Sequence, residues 1–129
     1  MRTFALELSD ATQFERIEPV ASFIGEDASG SFGILAGRER LVTVLGWGLC
    51  RYAAPDRVWR YVALPGGTLS FADGVLSIAT RHYVRGDDPG ELQRRLEAEI
   101  AAEEASRRGM VELIRTVDRE LLRGMLRLD

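Results

Sequence analysis

Few residues in this sequence could carry out chemistry, and they form no catalytic pattern. His82 is the only histidine and Cys50 the only cysteine, whereas a zinc site requires several such ligands. The acidic pairs Glu26–Asp27 and Asp87–Asp88 fit a turn and a helix cap better than general acid–base catalysis. We therefore expect no catalytic, cofactor-binding or metal-binding residue. A small enzyme stays an alternative only if His82, Cys50 and an acid meet in one pocket.

The glycine-rich stretch at residues 30–48, GSFGILAGRERLVTVLGWG, could in principle hold a phosphate. A P-loop, however, requires Gly-x-x-x-x-Gly-Lys-Ser/Thr between a strand and a helix. Gly33 and Gly37 have the wrong spacing, and Arg38 stands where a lysine would be needed. The chain contains no lysine, since all 17 of its Lys and Arg residues are arginine. The glycines therefore indicate bends where strands turn or backbones approach closely.

The composition sets the class of protein. The chain has 129 residues, of which 46% are hydrophobic and 29% are charged, as in an ordinary globular domain. Its net charge of −3 argues against a general affinity for nucleic acid. No apolar run reaches the roughly 18 residues needed to cross a bilayer, and the N-terminal stretch lacks an apolar signal core. We therefore expect neither export nor direct membrane insertion, and a single cysteine suits a reducing compartment.

Residues 1–86 have the pattern of a β-domain. Short runs rich in β-branched and aromatic residues, such as TFALEL, RVWRYVAL and GVLSIATRHYV, are closed by turn signals such as Pro65-Gly66-Gly67. We count seven to ten such runs, which is too many for one flat sheet. The prediction is an N-terminal antiparallel β-sandwich over residues 1–86, because two sheets must cover each other's apolar faces.

Residues 87–129 have a helical composition. Asp87 or Asp88 can cap a helix that starts at Pro89, and Ser106 to Gly109 is expected to interrupt it. The prediction is a C-terminal antiparallel two-helix hairpin, giving a mainly β plus α protein. The apolar positions are Leu92, Leu96 and Ile100 on the first helix, and Met110, Ile114, Val117, Leu121, Met125 and Leu128 on the second. This narrow stripe must pack on the sandwich, on another protein, or on each in turn.

Four arginines recur every four residues on the second predicted helix, at positions 115, 119, 123 and 127. We call Arg115, Arg119, Arg123 and Arg127 the arginine row. One interpretation is a solvated face, supported by Glu112 and Glu120 at helical spacing. The other is a surface for an acidic partner, since guanidinium groups pair with carboxylates in a bidentate manner.

Two stretches, GSFGILAGRERLVTVLGWGLCRY and VALPGGTLSFADGVLSIAT, resemble characteristic motifs of the epsilon subunit of F-type ATP synthases. The resemblance extends from about Phe4 to Arg85. The matching positions are Gly30, Phe32, Gly33, Leu35, Gly37, Leu41, Thr43 and Gly48 in the first motif, and Gly66, Gly67, Leu69 and Val75 in the second. Departures such as Ser31 for glutamate and Arg38 for histidine suggest an outlying branch, such as an alternate ATPase operon.

This resemblance implies a non-catalytic subunit of the central stalk, which rotates with gamma and rests on the c-ring. It also implies a peripheral location on the cytoplasmic face of the bacterial inner membrane. The residues that the resemblance assigns to the c-ring are Glu26, Ser31, Arg38 and Arg40. Those that it assigns to gamma are Leu41, Thr43, Thr80 and Arg81. The hairpin would contact the catalytic β subunits transiently through the arginine row and brake ATP hydrolysis.

Some members of that family bind ATP through Ile/Leu-Asp-x-x-Arg-Ala, but Gln93 follows Leu92 here in place of aspartate. We therefore expect weak or no ATP binding and no cofactor. The alternative from another class of protein is a free-standing β-sandwich adaptor whose arginine-rich hairpin docks an unrelated acidic partner. That alternative predicts no affinity for gamma.

Overall fold

The structure is a computed structural model that describes the backbone of residues 2–127 and the side chains of residues 2–125. Within these residues, ten strands precede one helix. The strands are β1 (Phe4–Ser9), β2 (Phe14–Val20), β3 (Ser22–Asp27), β4 (Gly30–Leu35), β5 (Leu41–Leu45), β6 (Gly48–Ala53), β7 (Trp59–Leu64), β8 (Gly67–Ala72), β9 (Val75–Ala79) and β10 (Val84–Gly86), and the helix is α1 (Pro89–Arg127).

The strands form two sheets that are joined at one point. One sheet has the order β4–β3–β6–β7–β10, and the other has the order β5–β8–β9–β1–β2. Between them, β3 and β5 pair only at Asp27 and Leu45. All pairings are antiparallel except that of β1 with β9. The predicted β-sandwich is confirmed.

The core lies between the two sheets, because alternate residues of each strand point inward. On β1, for example, Leu6 and Leu8 are buried, and Phe4 packs edge-on against Phe71 of β8 with ring centroids 5.5 Å apart. The opposite sheet contributes further buried residues, among them Phe23, Ile34, Tyr52, Val62 and Leu64. Each sheet therefore supplies the cover that the other sheet needs.

Polar side chains connect β2 and β10, which are edge strands of opposite sheets. The Glu15 carboxylate accepts hydrogen bonds from the Tyr83 hydroxyl at 2.8 Å and from the Arg85 guanidinium at 2.6 Å. Arg85 also donates to the Tyr52 hydroxyl at 2.9 Å. Burial, followed by the hydrogen bond to Glu15, raises the pKa of Tyr83. The neutral hydroxyl thus remains a donor, and it helps to close the sandwich at this side.

The predicted two-helix hairpin is wrong, since α1 runs without interruption from Pro89 to Arg127. A Cβ at Gly109 would meet nothing within 4 Å, so this glycine costs only its backbone entropy, about 1 kcal/mol. Arginine and methionine flank it, and Arg107 pairs with Glu103 one turn earlier at 4.0 Å. Without a proline, the good helix formers on both sides outweigh one glycine.

The chain divides into two compact units, Met1–Leu96 and Glu97–Asp129. In the first unit, Leu92 and Leu96 are buried, and a Cβ at Gly86 would lie 3.2 Å from the Leu92 side chain. In the second unit, Met110, Ile114, Val117, Leu121 and Met125 are exposed. Leu128 lies outside the described residues. The division into a domain of residues 1–86 and one of residues 87–129 stays a prediction.

Candidate functional site

On the outward side of the strands β5, β8 and β9, two exposed valines lie next to small residues. On β5, Val42 is 80% exposed and Val44 is 67% exposed, while Leu45 is buried. Val42 lies opposite Ser70 and Val44 opposite Thr68, and these residues lie opposite Ser77 and Ala79 on β9. We call Val42, Val44, Thr68, Ser70, Ser77 and Ala79 the outer face. It contains no charged side chain, so a partner can cover it without desolvating an ion.

The four residues predicted to face gamma have different positions relative to the outer face. Leu41 and Thr43 alternate with the two valines and therefore lie on the inward side of β5. Leu41 packs against the core, and the Thr43 hydroxyl donates to the Asp27 carboxylate at 2.7 Å. Thr80 and Arg81 directly follow Ala79 at one end of the outer face. Sequence reasoning missed the valines, although the alternation in LVTVL is their signal.

A glycine pair holds the end of the outer face together. Gly66 has a φ of +111°, which favours glycine, and its carbonyl accepts a hydrogen bond from the Thr80 hydroxyl. A Cβ on Gly67 would overlap the carbonyl oxygen of Ala79. The Thr80 N–H donates to the Ser9 carbonyl at 3.0 Å. The motif PGG therefore lets β5, β8 and β9 approach closely at this point.

The hairpin between β3 and β4 holds two of the residues predicted to face the c-ring. Glu26 and Ser31 lie directly opposite each other next to the turn, and both are exposed. In the turn, the Asp27 carboxylate accepts hydrogen bonds from the Ser29 hydroxyl, the Thr43 hydroxyl and the Ser29 N–H, and these lower the pKa of Asp27. Trp47, which is 48% exposed, lines a cavity together with Glu26. This end thus combines an aromatic ring with the Glu26 carboxylate, which forms no ion pair with a described residue.

Arg38 and Arg40 lie beyond the other end of β4. The six residues of β4 span about 17 Å at 3.4 Å per residue, so the structure does not bring these arginines to Glu26 and Ser31. The Arg38 guanidinium donates to the Gly33 carbonyl at 3.3 Å, and Arg40 pairs with Asp73 at 3.6 Å. Since β4 is an edge strand, Arg38 also occupies a backbone group that could otherwise pair with another chain.

Cys50 and His82, the residues considered for catalysis, do not form a catalytic site with each other. Cys50 is buried on β6, and burial raises its pKa to about 12, so the thiol stays protonated. His82 is half-buried between β9 and β10. Among the described residues, no three His, Cys, Asp or Glu side chains are grouped closely enough to hold a metal ion. In the same part of the chain, no helix has both the length and the apolar character needed to cross a bilayer.

The arginine row lies on an exposed part of α1. Arg115, Arg119 and Arg123 are all exposed, and none of them forms an ion pair with a described residue. The side chain of Arg127 lies outside the described residues. The uninterrupted helix keeps the four-residue spacing, so the three described arginines share one side of α1 with a drift of about 40° per step.

Comparison with known proteins places this fold in a family. A family model for the ATP synthase Delta/Epsilon chain β-sandwich domain matches residues 3–86. The ATP synthase epsilon chain 2 of Cereibacter sphaeroides is 38% identical over 100 residues, which cover 76% of this chain and 68% of that protein. The ATP synthase epsilon chain 2 of Paraburkholderia xenovorans is 30% identical over 112 residues, which cover 85% of this chain and 80% of that protein.

Solved structures agree with this assignment. A chain in the cryo-EM structure of the Euglena gracilis mitochondrial ATP synthase, with OSCP, F1 and c-ring in rotational state 1, matches with a TM-score of 0.61 and 28% identity over 77% of this chain. A chain of the Tetrahymena thermophila mitochondrial ATP synthase central stalk and c-ring shares the fold, with a TM-score of 0.54 and 13% identity over 64% of this chain. The matches cover 64% and 66% of those chains, slightly less than two thirds. The chain therefore belongs to the ATP synthase delta/epsilon family, as a non-catalytic epsilon chain of the central stalk.

Proposed function

We propose that this chain couples the gamma subunit to the c-ring of an F-type ATP synthase and that its outer face contacts gamma. The observation that carries the proposal is the pair of valines, Val42 and Val44, which are exposed side by side on an uncharged sheet surface. Isolated exposed apolar residues are common, whereas contiguous apolar patches mark interaction sites and the core of an interface is depleted of charged residues.

The boundary of the outer face supports the same assignment. On β1, next to β9, Glu7 pairs with Arg16 of β2 at 3.4 Å, so charged groups begin where the uncharged residues end. At the other boundary, Arg81 follows Ala79 and Thr80. An uncharged centre with charged residues at its boundary fits the core and rim of a specific protein interface. In this proposal Thr80 and Arg81 lie at the rim, while Leu41 and Thr43 support the valines from inside.

We also propose that the turn of the β3–β4 hairpin faces the c-ring through Glu26 and Ser31. The support is their position next to one turn, beside the half-exposed Trp47. Arg38 and Arg40 stay assigned to the c-ring by the family resemblance alone, because they lie at the far end of β4. In its assembled state the chain would be peripheral, on the cytoplasmic face of the bacterial inner membrane.

The second unit is the proposed brake on ATP hydrolysis. Arg115, Arg119 and Arg123 are exposed, unpaired with any described residue, and repeated at helical spacing, as expected for a surface that binds carboxylates. In this proposal they contact the catalytic β subunits transiently. A solvated face remains the alternative interpretation of the same arrangement, and the hydrolysis rate of the assembled complex distinguishes the two.

The test of the proposed function is co-purification of this chain with the gamma subunit of the same genome, followed by light scattering. The expected result is a stable one-to-one complex. Replacing both valines, as Val42→Asp and Val44→Asp, should weaken the complex by a factor of about 100 or more. Binding to gamma would bury both valines, and losing their apolar contacts costs about 2 kcal/mol. An aspartate in the interface adds a desolvation cost.

The matched control is Val58→Asp, a valine that is 53% exposed in the loop between β6 and β7. This variant introduces an aspartate outside the outer face and should leave the complex intact. All variants should stay folded, since the replaced side chains are exposed, although aspartate in the strand β5 lowers the melting temperature of the double variant. If the folded chain forms no complex with gamma, the free-standing adaptor becomes the better hypothesis. If Val58→Asp weakens the complex as much as the double variant does, the outer face is not the contact.

A further inference from the structure

A second surface, separate from the outer face, has the features of a ligand site. It is a cavity of about 500 Å³ in the first unit, within the size range of small-molecule sites. Its wall is mainly apolar and includes Leu35, Ala36, Ala53 and Trp59, which come from β4 and its following loop, β6 and β7. Two arginines, Arg2 and Arg57, complete the lining. The site thus combines apolar walls with positive charge.

Neither arginine is neutralised within the described part of the chain. Both are exposed, and neither forms an ion pair with a described carboxylate. Asp56, the residue next to Arg57 in the sequence, already has other partners. Its carboxylate pairs with Arg60 at 2.9 Å and accepts a hydrogen bond from the Val58 N–H at 2.9 Å. The side-chain hydrogen bond from Arg60 and the bond from Val58 lower the pKa of Asp56. The charge of Arg57 therefore remains available to a ligand.

Local contacts hold the two guanidinium-bearing residues in place. A Cβ at Gly37 would lie 2.7 Å from Nη1 of Arg2, so this guanidinium packs on the backbone of the loop after β4. Arg57 has a φ of +63°, which is uncommon outside glycine, and its N–H donates to the Ala54 carbonyl at 3.0 Å. The turn thus fixes the backbone of Arg57 at the rim of the cavity, from which its side chain extends.

On the side of the cavity formed by β3 and β6, the backbone groups are already paired. The Ala21 N–H donates to the Ala53 carbonyl at 2.8 Å, and Ser22 is paired with both Leu35 and Ala53. A peptide entering the cavity would bring N–H and C=O groups that need partners, whereas the backbone of Ala21, Ser22 and Ala53 is already paired. An alkyl chain brings none. The wall therefore favours a hydrocarbon chain, and the arginines favour an anionic head.

We propose that this cavity binds a single-chain alkyl carboxylate, the chemistry of a medium-chain fatty acid. The alkyl chain lies on the wall formed by Leu35, Ala53 and Trp59, and the carboxylate pairs with Arg2 and Arg57. Guanidinium groups suit this head because they bind carboxylates in a bidentate manner. The inference does not depend on the contact with gamma, since none of these residues belongs to the outer face.

Tryptophan fluorescence can test the proposal in the full chain. The sequence has two tryptophans, and Trp59, whose ring lies 4.4 Å from the Arg51 guanidinium, lines the cavity. In a Trp47→Phe background, sodium decanoate below its micelle concentration should produce a saturable change in Trp59 emission. Decanoate should bind up to about fifteenfold more tightly than octanoate, because its two additional methylenes contribute about 0.8 kcal/mol each when buried.

Substitutions identify the head-group contacts. Arg2→Gln and Arg57→Gln should each weaken decanoate binding about fivefold, as expected for charged pairs near the surface, and together by a larger factor. The control Arg16→Gln removes one charge from β2, away from the cavity, and should leave the affinity unchanged. Ala54→Leu, which fills part of the cavity, should abolish the fluorescence change while the fold is retained.

Three outcomes would overturn the proposal. One is the absence of a saturable change with decanoate. Another is equal binding of decyltrimethylammonium, which has the same chain and the opposite charge. The third is an affinity that is the same in the Arg2→Gln, Arg57→Gln and Arg16→Gln variants. The fluorescence titration uses the isolated chain, so its result does not depend on whether a variant still binds gamma.

Discussion

The glycine pair at the end of the outer face allows the sharpest prediction, because its contacts are with backbone atoms. Replacing Gly67 with alanine would put a Cβ well inside 3.0 Å of the Ala79 carbonyl oxygen and 3.1 Å from the Thr80 Cβ. A side chain could rotate away, but a carbonyl oxygen in a paired strand cannot. Gly67 also pairs with Leu45 of β5, so β8 cannot shift without straining that pairing as well.

The magnitude follows from what must move. Restoring an ordinary contact distance requires roughly 1 Å of separation between β8 and β9. Forcing extra atoms into a packed site costs about 1–3 kcal/mol, and one or two weakened ladder hydrogen bonds add about 1 kcal/mol. We therefore expect the free energy of unfolding to fall by about 3 kcal/mol. That is a large part of the roughly 5–15 kcal/mol that stabilises a domain.

Urea unfolding of the full chain, followed by tryptophan fluorescence, measures this change. The matched control is Gly33→Ala on the edge strand β4, where the nearest atom to an added Cβ is the Phe23 carbonyl oxygen at 3.8 Å. This control should change the free energy of unfolding by no more than about 0.5 kcal/mol. If Gly67→Ala unfolds at the same urea concentration as the parent, the close approach of β8 and β9 described here is incorrect.

Four further predictions concern the candidate sites. Cys50 should react with a maleimide only after denaturation, since it is buried and its pKa is raised to about 12; rapid labelling of the folded chain would contradict this. Thr43→Val should raise the pKa of Asp27 toward its ordinary 3.8 in an NMR titration, because a hydrogen bond to the carboxylate is lost. The stabilisation that these hydrogen bonds provide is complete above pH 3.8 and is lost as the pH falls through the lowered pKa of the folded state. Arg119→Glu combined with Arg123→Glu should raise ATP hydrolysis of the assembled complex severalfold, whereas the corresponding lysine exchanges should keep most of the inhibition; an unchanged rate in the glutamate variant favours a solvated face. Calorimetry of the isolated chain should show no ATP binding at micromolar concentrations, and a micromolar affinity would overturn the expectation from Gln93.

Local patterns predicted the first part of the chain well. Period-two alternation and turn signals indicated the strands, and their number required two sheets, because one sheet cannot bury its own apolar face. The motif with Gly66 and Gly67 carried the family resemblance that the comparisons confirmed. The same resemblance implied a non-catalytic subunit, which the comparisons bear out.

The helical part shows where local patterns fail. The composition predicted helix correctly, but the break at Ser106–Gly109 depended on a small energy difference. A lone glycine costs about 1 kcal/mol in a helix, which neighbouring good helix formers can offset. The same stretch is therefore compatible with a turn or with an uninterrupted helix on local grounds. The structure has the uninterrupted helix α1.

The positions of the candidate contacts required the tertiary structure. The sequence by itself determined the alternating faces of β5, the glycines of the close approach and the helical character beyond residue 87. Only the pairing of strands far apart in the chain brought Val42 and Val44 next to Ser70, Thr68, Ser77 and Ala79 in one uncharged surface. Strand pairing likewise separated Arg38 and Arg40 from Glu26 and Ser31. Side-chain direction within a strand is a local property, but which strands become neighbours depends on the burial of the whole core.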